Sequence, residues 1–266
     1  MAHPQRIVCL TEETTETLYL LGEQDRIVGI SGYTARPPEA RRAKPKVSAF
    51  TSARIDRILD LRPDLVLGFS DLQADIAAEL IRRGVQVHVF NQRDIAGILA
   101  MIRLLGAMVG AAERAERLAE RLAAGLEQVR ARTPRRADRP RVFFEEWDEP
   151  LITGIGWVSE LIEIAGGEDC FAELAREALA RGRIVAPCAV VERRPDIIVG
   201  SWCGKRFRPE RVVARPGFAA LPAVRAGELH EITSSLILQP GPAALTDGLA
   251  RLAQIVDRWH EARPPG

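Results

Sequence analysis

The chain contains the stretch Arg62-Pro63-Asp64-Leu65-Val66-Leu67-Gly68, and 132 residues later it contains Arg194-Pro195-Asp196-Ile197-Ile198-Val199-Gly200. A second pair, Arg6-Ile7-Val8 and Arg141-Val142-Phe143, is separated by 135 residues. Two strand starts that repeat at nearly the same offset indicate two topologically similar lobes. The alternative is that Arg-Pro-Asp before a strand is a common helix-to-strand turn that recurs by chance.

Apolar runs and helical patterns alternate around the first copy of this repeated segment. Residues 6–10 and 65–68 are typical of buried strands, whereas residues 14–21 and 55–61 have helical spacing. Such alternation favours a parallel sheet with helices on both faces. Residues 32–38 include two prolines and are predicted to form a loop that is not helical.

A long helix is predicted in the middle of the chain. Residues 111–132 are rich in Ala, Glu, Arg and Leu, and the leucines at 118, 122 and 126 fall on one helical face. About 22 residues would make a rod of roughly 33 Å. The predicted organisation is therefore an N-terminal α/β lobe (1–110), a connecting helix (111–133) and a C-terminal α/β lobe (134–266).

Composition excludes several classes of protein. The 266 residues are 47% hydrophobic and 27% charged, with a formal net charge of +1, which is not the composition of a disordered chain or of a typical nucleic-acid binder. Residues 95–112 are apolar, but Arg103 at their centre argues against a membrane span. Residues 1–6 have no signal-peptide pattern, so a cytoplasmic location is expected.

The sequence contains no recognisable catalytic motif. A nucleophile elbow, a phosphate-binding loop and a zinc-protease motif are all absent, and the four histidines have no metal-ligand spacing. Thr153-Gly154-Ile155-Gly156-Trp157 resembles half of a dinucleotide fingerprint but lacks the third glycine. We therefore predict no catalytic residues, no metal ligands and no cofactor.

Binding residues are expected in the loops that follow the strands, because ligands of open parallel sheets bind beyond the carboxyl ends of the strands. Aromatic residues are only 5% of the chain, yet six fall in these predicted loops and offer flat apolar walls to a large ligand. Core packing is the alternative for each ring. The six are Tyr33, Phe50, Phe69, Trp147, Trp157 and Trp202. Gln239 and Gly241 precede a predicted helix and are expected to direct amide donors toward the same cleft.

Acidic residues follow the first strand of each predicted lobe. They indicate either a cation site or solvated rim charge, and rim charge is the more common of the two. The residues are Glu12, Glu13, Glu145, Glu146, Asp148 and Glu149. Lys205, Arg206 and Arg208 lie on a nearby predicted loop and are suited to meeting a carboxylate or a phosphate.

Over nearly its whole length the chain resembles the iron-siderophore and vitamin B12 class of substrate-binding proteins of ABC transporters. The resemblance rests on residues 6–10 with the helix of 14–22, on residues 29–33 with Pro37-Pro38, on Val47-Ser48 before Phe50, on residues 55–68, and on residues 158–167. It implies an α/β fold of two Rossmann-like lobes with parallel sheets, joined by one long helix (class III).

Within this class the chain most resembles the corrinoid binders, which hold the macrocycle between aromatic side chains from both lobes. The resemblance implies a non-enzymatic binder of cobalamin or another corrinoid in the inter-lobe cleft. By matching position, Tyr33, Phe50 and Phe69 supply one wall, and Trp202 with the loop from Trp147 to Trp157 supplies the other. Haem and ferric-siderophore binders share these landmarks and remain alternatives.

Partner docking follows from the same resemblance. Family members dock on a permease through one surface carboxylate on each lobe: Asp56 matches the first position, but Cys188 stands at the second. With no signal peptide visible, a cytoplasmic corrinoid carrier or sensor is expected. A further alternative is a cytoplasmic metal-dependent enzyme that uses the carboxylates of Glu12, Glu13, Glu145 and Glu146.

Overall fold

The computed structural model describes residues 3–132 and 138–263, and these divide into two compact units. Unit 1 comprises residues up to 92 together with 96–122, and unit 2 comprises 93–95 together with the described residues from 123 onward. The predicted boundaries at 110/111 and 133/134 stay a prediction, and the second lies outside the described residues.

Unit 1 is built on a five-stranded sheet in which every strand pair is parallel. The strand order β3-β2-β1-β4-β5 places the switch point of the topology between β1 and β4. The strands are β1 (Ile7–Cys9), β2 (Ile27–Ser31), β3 (Lys46–Ser48), β4 (Leu65–Phe69) and β5 (Val87–Phe90). The helices of this part of the chain are α1 (Glu12–Leu20), α2 (Pro38–Ala43), α3 (Ile55–Asp60), α4 (Ala74–Arg82), α5 (Ile95–Met108) and α6 (Ala112–Arg132).

Unit 2 contains a second sheet, of order β10-β9-β6-β7, and β8 pairs with the first residues of β6. Its strands are β6 (Arg141–Asp148), β7 (Leu151–Thr153), β8 (Glu168–Asp169), β9 (Ile197–Gly200) and β10 (Leu229–Glu231). Its further helices are α7 (Gly156–Ile164), α8 (Pro187–Arg193), α9 (Pro209–Val213), α10 (Pro222–Ala226), α11 (Ser234–Ile237) and α12 (Leu249–Glu261). The predicted α/β class is thus confirmed.

Two details differ from the sequence-based expectation. In unit 2, β7 runs antiparallel to β6, because only two residues separate them and a parallel return needs a crossover connection. In unit 1, Pro38 begins α2 instead of lying in a loop. Proline is tolerated there because the first helical residue has no use for an N–H donor.

The cores lie where the sequence placed its longest apolar runs. Every residue of β1 and β4 is buried, and in unit 1 the side chains of Val8, Val66 and Leu80 belong to one hydrophobic cluster. Burial on both faces explains why these strands read as continuous apolar runs without alternation. Among the described residues, no helix has the length and apolar character needed to cross a bilayer.

The repeated segment has the same role in both units. The carboxylate of Asp64 accepts the backbone N–H of Arg6 at 2.9 Å, and that of Asp196 accepts the N–H of Arg141 at 3.0 Å. In return, the N–H of each aspartate donates to the carbonyl oxygen of the same arginine, at 2.9 and 2.8 Å. The aspartate therefore aligns the start of the repeated strand with the first strand of its sheet.

The arginine and the glycine of the repeated segment also have matching roles in the two units. Arg62 and Arg194 both take positive φ, 45° and 48°, which turns the chain out of the preceding helix. At the far end, a side chain from the following loop lies over each glycine. A Cβ on Gly68 would lie 2.9 Å from Gln73 Oε1, and one on Gly200 would lie 1.9 Å from the Phe207 ring. The repetition is thus structural and not a chance match.

We expect Asp196→Ala to lower the free energy of unfolding of unit 2 by about 1–2 kcal/mol, because the Arg141 N–H and guanidinium lose their acceptor. Tryptophan fluorescence in a urea titration reports on this unit, since the four tryptophans, at 147, 157, 202 and 259, all lie in it. Asp257→Ala, at an exposed position on α12, is the control and should change little. Equal effects of the two substitutions would contradict the role of Asp196.

Candidate functional site

The carboxyl edge of the unit 1 sheet exposes two large apolar side chains. Tyr33, just after β2, is 55% exposed, and Leu72, just after β4, is 54% exposed. Ser70 takes a positive φ of 61° and its hydroxyl accepts the Leu72 N–H at 3.3 Å, which fixes the turn that presents Leu72. Leu72 was missed by the sequence analysis, although it follows the predicted Phe69 loop directly.

The other two predicted aromatic residues of unit 1 are less accessible. Phe50 is half-buried, and Phe69, the last residue of β4, is buried. Gln73, which is fully buried, links them: its amide oxygen accepts the Phe69 N–H at 2.9 Å, and its amide nitrogen donates to the Phe50 carbonyl at 2.9 Å. One buried amide therefore holds together two loops at this edge, a role the sequence did not predict.

Three carboxylates at the start of α1 are buried. Glu12 accepts the Ala35 N–H at 3.0 Å, Glu13 accepts the Thr11 hydroxyl at 2.5 Å, and Glu16 binds the Arg36 guanidinium at 3.0 Å. Burial is the main cause that raises the pKa of Glu12 and of Glu13 to about 7. The expectation of solvated rim charge is therefore wrong for Glu12 and Glu13.

In unit 2, two of the predicted aromatic residues lie in the core. Trp157 is 3% exposed and its indole N–H donates to the Ile237 carbonyl at 2.8 Å. Trp202 is 2% exposed and packs edge-to-face on Phe207 with ring centroids 5.1 Å apart. Such burial is what core packing requires, and a ligand-contact role for either ring stays a prediction.

The acidic residues of β6 already have cationic partners. Glu145 is fully buried and receives two hydrogen bonds of 2.7 Å from the Arg215 guanidinium. Glu146 pairs with the buried Arg183 at 2.6 Å. Among the residues that the structure describes, no three His, Cys, Asp or Glu side chains are grouped so as to hold a metal ion. The structure therefore does not support a metal-dependent enzyme built on these carboxylates.

Of the three predicted aromatic residues of unit 2, Trp147 is the most accessible. It is half-buried on β6, and its indole N–H donates to the Glu149 carbonyl at 2.8 Å. The Lys205 ammonium lies over the ring, 3.8 Å from its centroid, and also contacts the carboxylate of Asp148. Burial opposes ionisation of Asp148, but Lys205 and Arg211 outweigh it and hold its pKa below the usual value.

The remaining predicted binding residues lie before α12. Gln239 is half-buried, and its carbonyl oxygen accepts the N–H of the buried Gly241 at 2.8 Å. The Gly241 amide is therefore used within the turn. A ligand-contact role for these two residues also stays a prediction.

Asp56 is exposed in the first turn of α3, and Cys188 is exposed in α8. Both helices lead into a copy of the repeated segment, and two residues after each site a fully buried side chain, Ile58 or Val190, anchors the helix. The structure thus places the two positions equivalently, and the docking role of Asp56 stays a prediction.

The glycines of the partial dinucleotide fingerprint have a packing role. A Cβ on Gly156, the first residue of α7, would lie 2.2 Å from the carbonyl oxygen of Arg93. That carbonyl also accepts the Trp157 N–H at 3.1 Å. Close approach of two backbones explains the glycine without any nucleotide.

Comparison with known proteins identifies the family. Residues 7–236 match the family described as Periplasmic binding protein. The chain belongs to this family. The predicted class of substrate-binding proteins of ABC transporters is thereby confirmed, and the family is one of binding proteins.

Two curated relatives align with most of the sequence of this periplasmic binding protein. It is 24% identical over 262 residues to an uncharacterized ABC transporter substrate-binding lipoprotein, YvrC, of Bacillus subtilis, covering 95% of this chain and 80% of the relative. It is 25% identical over 249 residues to a vitamin B12-binding protein of Vibrio parahaemolyticus, covering 91% and 86%.

Solved structures confirm the fold. A possible iron-binding (periplasmic solute-binding) protein from Staphylococcus epidermidis superposes with a TM-score of 0.81 at 21% identity, covering 96% of this chain and 99% of the other. The periplasmic heme-binding protein RhuT from Roseiflexus superposes with a TM-score of 0.79 at 24% identity, covering 95% and 99%. At these identities the likeness shows the fold and not the ligand.

The expected cytoplasmic location is wrong. It rested on the first residues of the sequence alone, whereas the relatives are a lipoprotein and periplasmic proteins. The cytoplasmic carrier or sensor is set aside with it.

We expect Gly156→Ala to lower the stability of unit 2 by about 2 kcal/mol or more, because the new methyl group meets a backbone oxygen that has little room to move. Gly125→Ala is the matched control: apart from the adjacent residues and the backbone of α6 itself, nothing lies within 4 Å of its Cβ position, so alanine should stabilise the helix by about 0.5–1 kcal/mol. Thermal unfolding measures both. A neutral Gly156→Ala would contradict the close packing.

Glu13→Gln should change how stability depends on pH. The carboxyl group ionises near 4.5 in the unfolded chain and near 7 in the folded one. Its contribution to stability is therefore present below pH 4.5, is lost as pH rises to about 7, and is constant above. Relative to the wild type, the free energy of unfolding of the variant should rise by up to about 3 kcal/mol between pH 4.5 and pH 8.

The measurement is the difference in melting temperature between variant and wild type across that range. Glu39→Gln, an exposed carboxylate on α2, is the control. A difference for Glu13→Gln that does not vary with pH would show that burial does not govern this carboxyl group.

Proposed function

We propose that this protein is the ligand-binding component of an ABC importer and that it carries a large metal-chelate ligand, cobalamin or another corrinoid. Haem and ferric siderophores are the alternatives. Membership of the Periplasmic binding protein family supports the carrier role, and the vitamin B12-binding relative from Vibrio parahaemolyticus supports the corrinoid. In this proposal the protein binds its ligand without chemical change and is not an enzyme.

The observation that carries the proposal is the exposed apolar surface at the carboxyl edge of the unit 1 sheet. Tyr33 and Leu72 are more than half exposed there, next to the switch point of the strand order. Ligands of such sheets bind at this edge. A flat or caged macrocycle has enough apolar surface to cover both side chains, as a small polar solute does not.

Delivery to a permease belongs to the same proposal. Asp56 is exposed on the first turn of α3 and is proposed as one docking carboxylate. At the second position Cys188 stands where a carboxylate is expected, but Glu192 lies four residues later on the same face of α8 and is exposed. We propose that Glu192 takes over this role.

The test is a titration of the purified protein with cyanocobalamin and with haemin, followed by visible absorbance and calorimetry. Tyr33→Ala should weaken binding of the true ligand about tenfold, equivalent to about 1.4 kcal/mol, because it removes an exposed ring from the binding edge. Leu20→Ala is the matched control. Leu20 is 51% exposed but lies at the last residue of α1, which returns to the opposite edge of the sheet.

Binding of cyanocobalamin supports the corrinoid, and binding of haemin alone supports the first alternative. If neither compound binds, the proposal fails for both. If Tyr33→Ala and Leu20→Ala bind equally well, the carboxyl edge of unit 1 is not the binding surface.

A further inference from the structure

We propose that unit 2 selects for ligands that carry a negatively charged group, because Lys205 covers the Trp147 ring and must be drawn off it before the ring can bind a macrocycle. This inference rests on the proposed function. It concerns the chemistry of the ligand, namely a large apolar ring system with an attached carboxylate or phosphate.

The Trp147 ring is held by a hydrogen bond, whereas the Lys205 side chain that covers it is exposed on a loop. The Trp147 indole N–H donates to the Glu149 carbonyl at 2.8 Å, so the ring has a defined orientation at the carboxyl end of β6. The Lys205 ammonium lies 3.8 Å from the ring centroid, a cation–π contact. Lys205 is 36% exposed on a loop and follows Gly204, whose φ of 74° is one that glycine adopts without strain.

A second cation keeps Asp148 paired when Lys205 moves. The Asp148 side chain is 1% exposed, and a buried carboxylate left without a partner would cost several kcal/mol. Arg211 contacts its other oxygen at 2.8 Å. Because Arg211 remains in place, the release of Lys205 does not strand a buried charge.

Among the described residues, Lys205 and Arg211 both contact this one buried carboxylate, and Arg211 has a second partner in Glu149. Glu149 is 86% exposed and lies 3.9 Å from Arg211, where solvent weakens the interaction. An acidic group on a ligand would replace the contacts that Lys205 loses, with a charge-assisted hydrogen bond. A neutral ligand would displace the ammonium without offering it a partner.

Two ligand classes carry both features. A porphyrin bears carboxylates, and a complete cobalamin bears a phosphodiester. The arms of the test therefore compare each acid with a compound that lacks the acidic group. Haemin is compared with haemin dimethyl ester, and cyanocobalamin with dicyanocobinamide, which lacks the phosphate together with its ribose and benzimidazole. The wild-type protein should bind the acidic member of its pair about tenfold or more tightly.

Lys205→Gln gives the sharper result, because the expected changes have opposite signs. It should weaken binding of the acidic ligand about tenfold and strengthen binding of the neutral one several-fold, since the ring is no longer covered. Arg225→Gln removes an exposed positive charge on α10 and should change neither. The comparison of acidic and neutral ligands in the wild type does not depend on how the variant folds.

Equal affinity of the wild type for both members of a pair would overturn the inference and leave the proposed function intact. The same change of both affinities in Lys205→Gln would also overturn it. If none of the four compounds binds the wild type, the proposed function fails and this inference fails with it.

Discussion

One carboxylate in each unit fixes how the sheet begins. Asp64 and Asp196 each bind the backbone of the arginine that opens the first strand of the sheet, Arg6 or Arg141. This contact sets the register between the first strand and its central parallel neighbour, because both strands start from the same hydrogen-bonded pair. Once the starts are aligned, the carboxyl ends are aligned as well, and the loops that follow the two strands lie at one edge. The positions of the loops that follow these two strands depend on that alignment.

The charged residues at these edges show two solutions to the cost of burying a carboxylate. In unit 2, the carboxylate of Glu145 accepts two hydrogen bonds from the Arg215 guanidinium. In unit 1, Glu13 accepts a hydrogen bond from the Thr11 hydroxyl but has no cationic partner among these contacts, and burial raises its pKa. The first solution makes a fixed support beneath the loops, and the second makes a group whose charge changes near neutral pH.

The aromatic residues also fall into two groups: some are buried in the core, and others are at the surface. Trp157 and Trp202 donate their indole N–H groups to partners inside unit 2 and belong to its core. Tyr33 is exposed in unit 1, and the ammonium group of Lys205 lies over the Trp147 ring. A lysine stacked on a tryptophan covers part of an apolar ring while its ammonium group stays in contact with water.

The sequence alone determined the class of fold, most of the strands and helices, and the duplicated arrangement. These features are local or periodic: an apolar run, a helical spacing, or an Arg-Pro-Asp turn that recurs 132 residues later. The sequence did not determine which aromatic residues are accessible or which carboxylates are paired. Trp202 meets Glu145 across 57 residues of chain, and Gln73 meets Phe50 across 23. Only the tertiary structure decided these contacts, because burial and pairing depend on which distant segments pack together, and no pattern within a single loop carries that information.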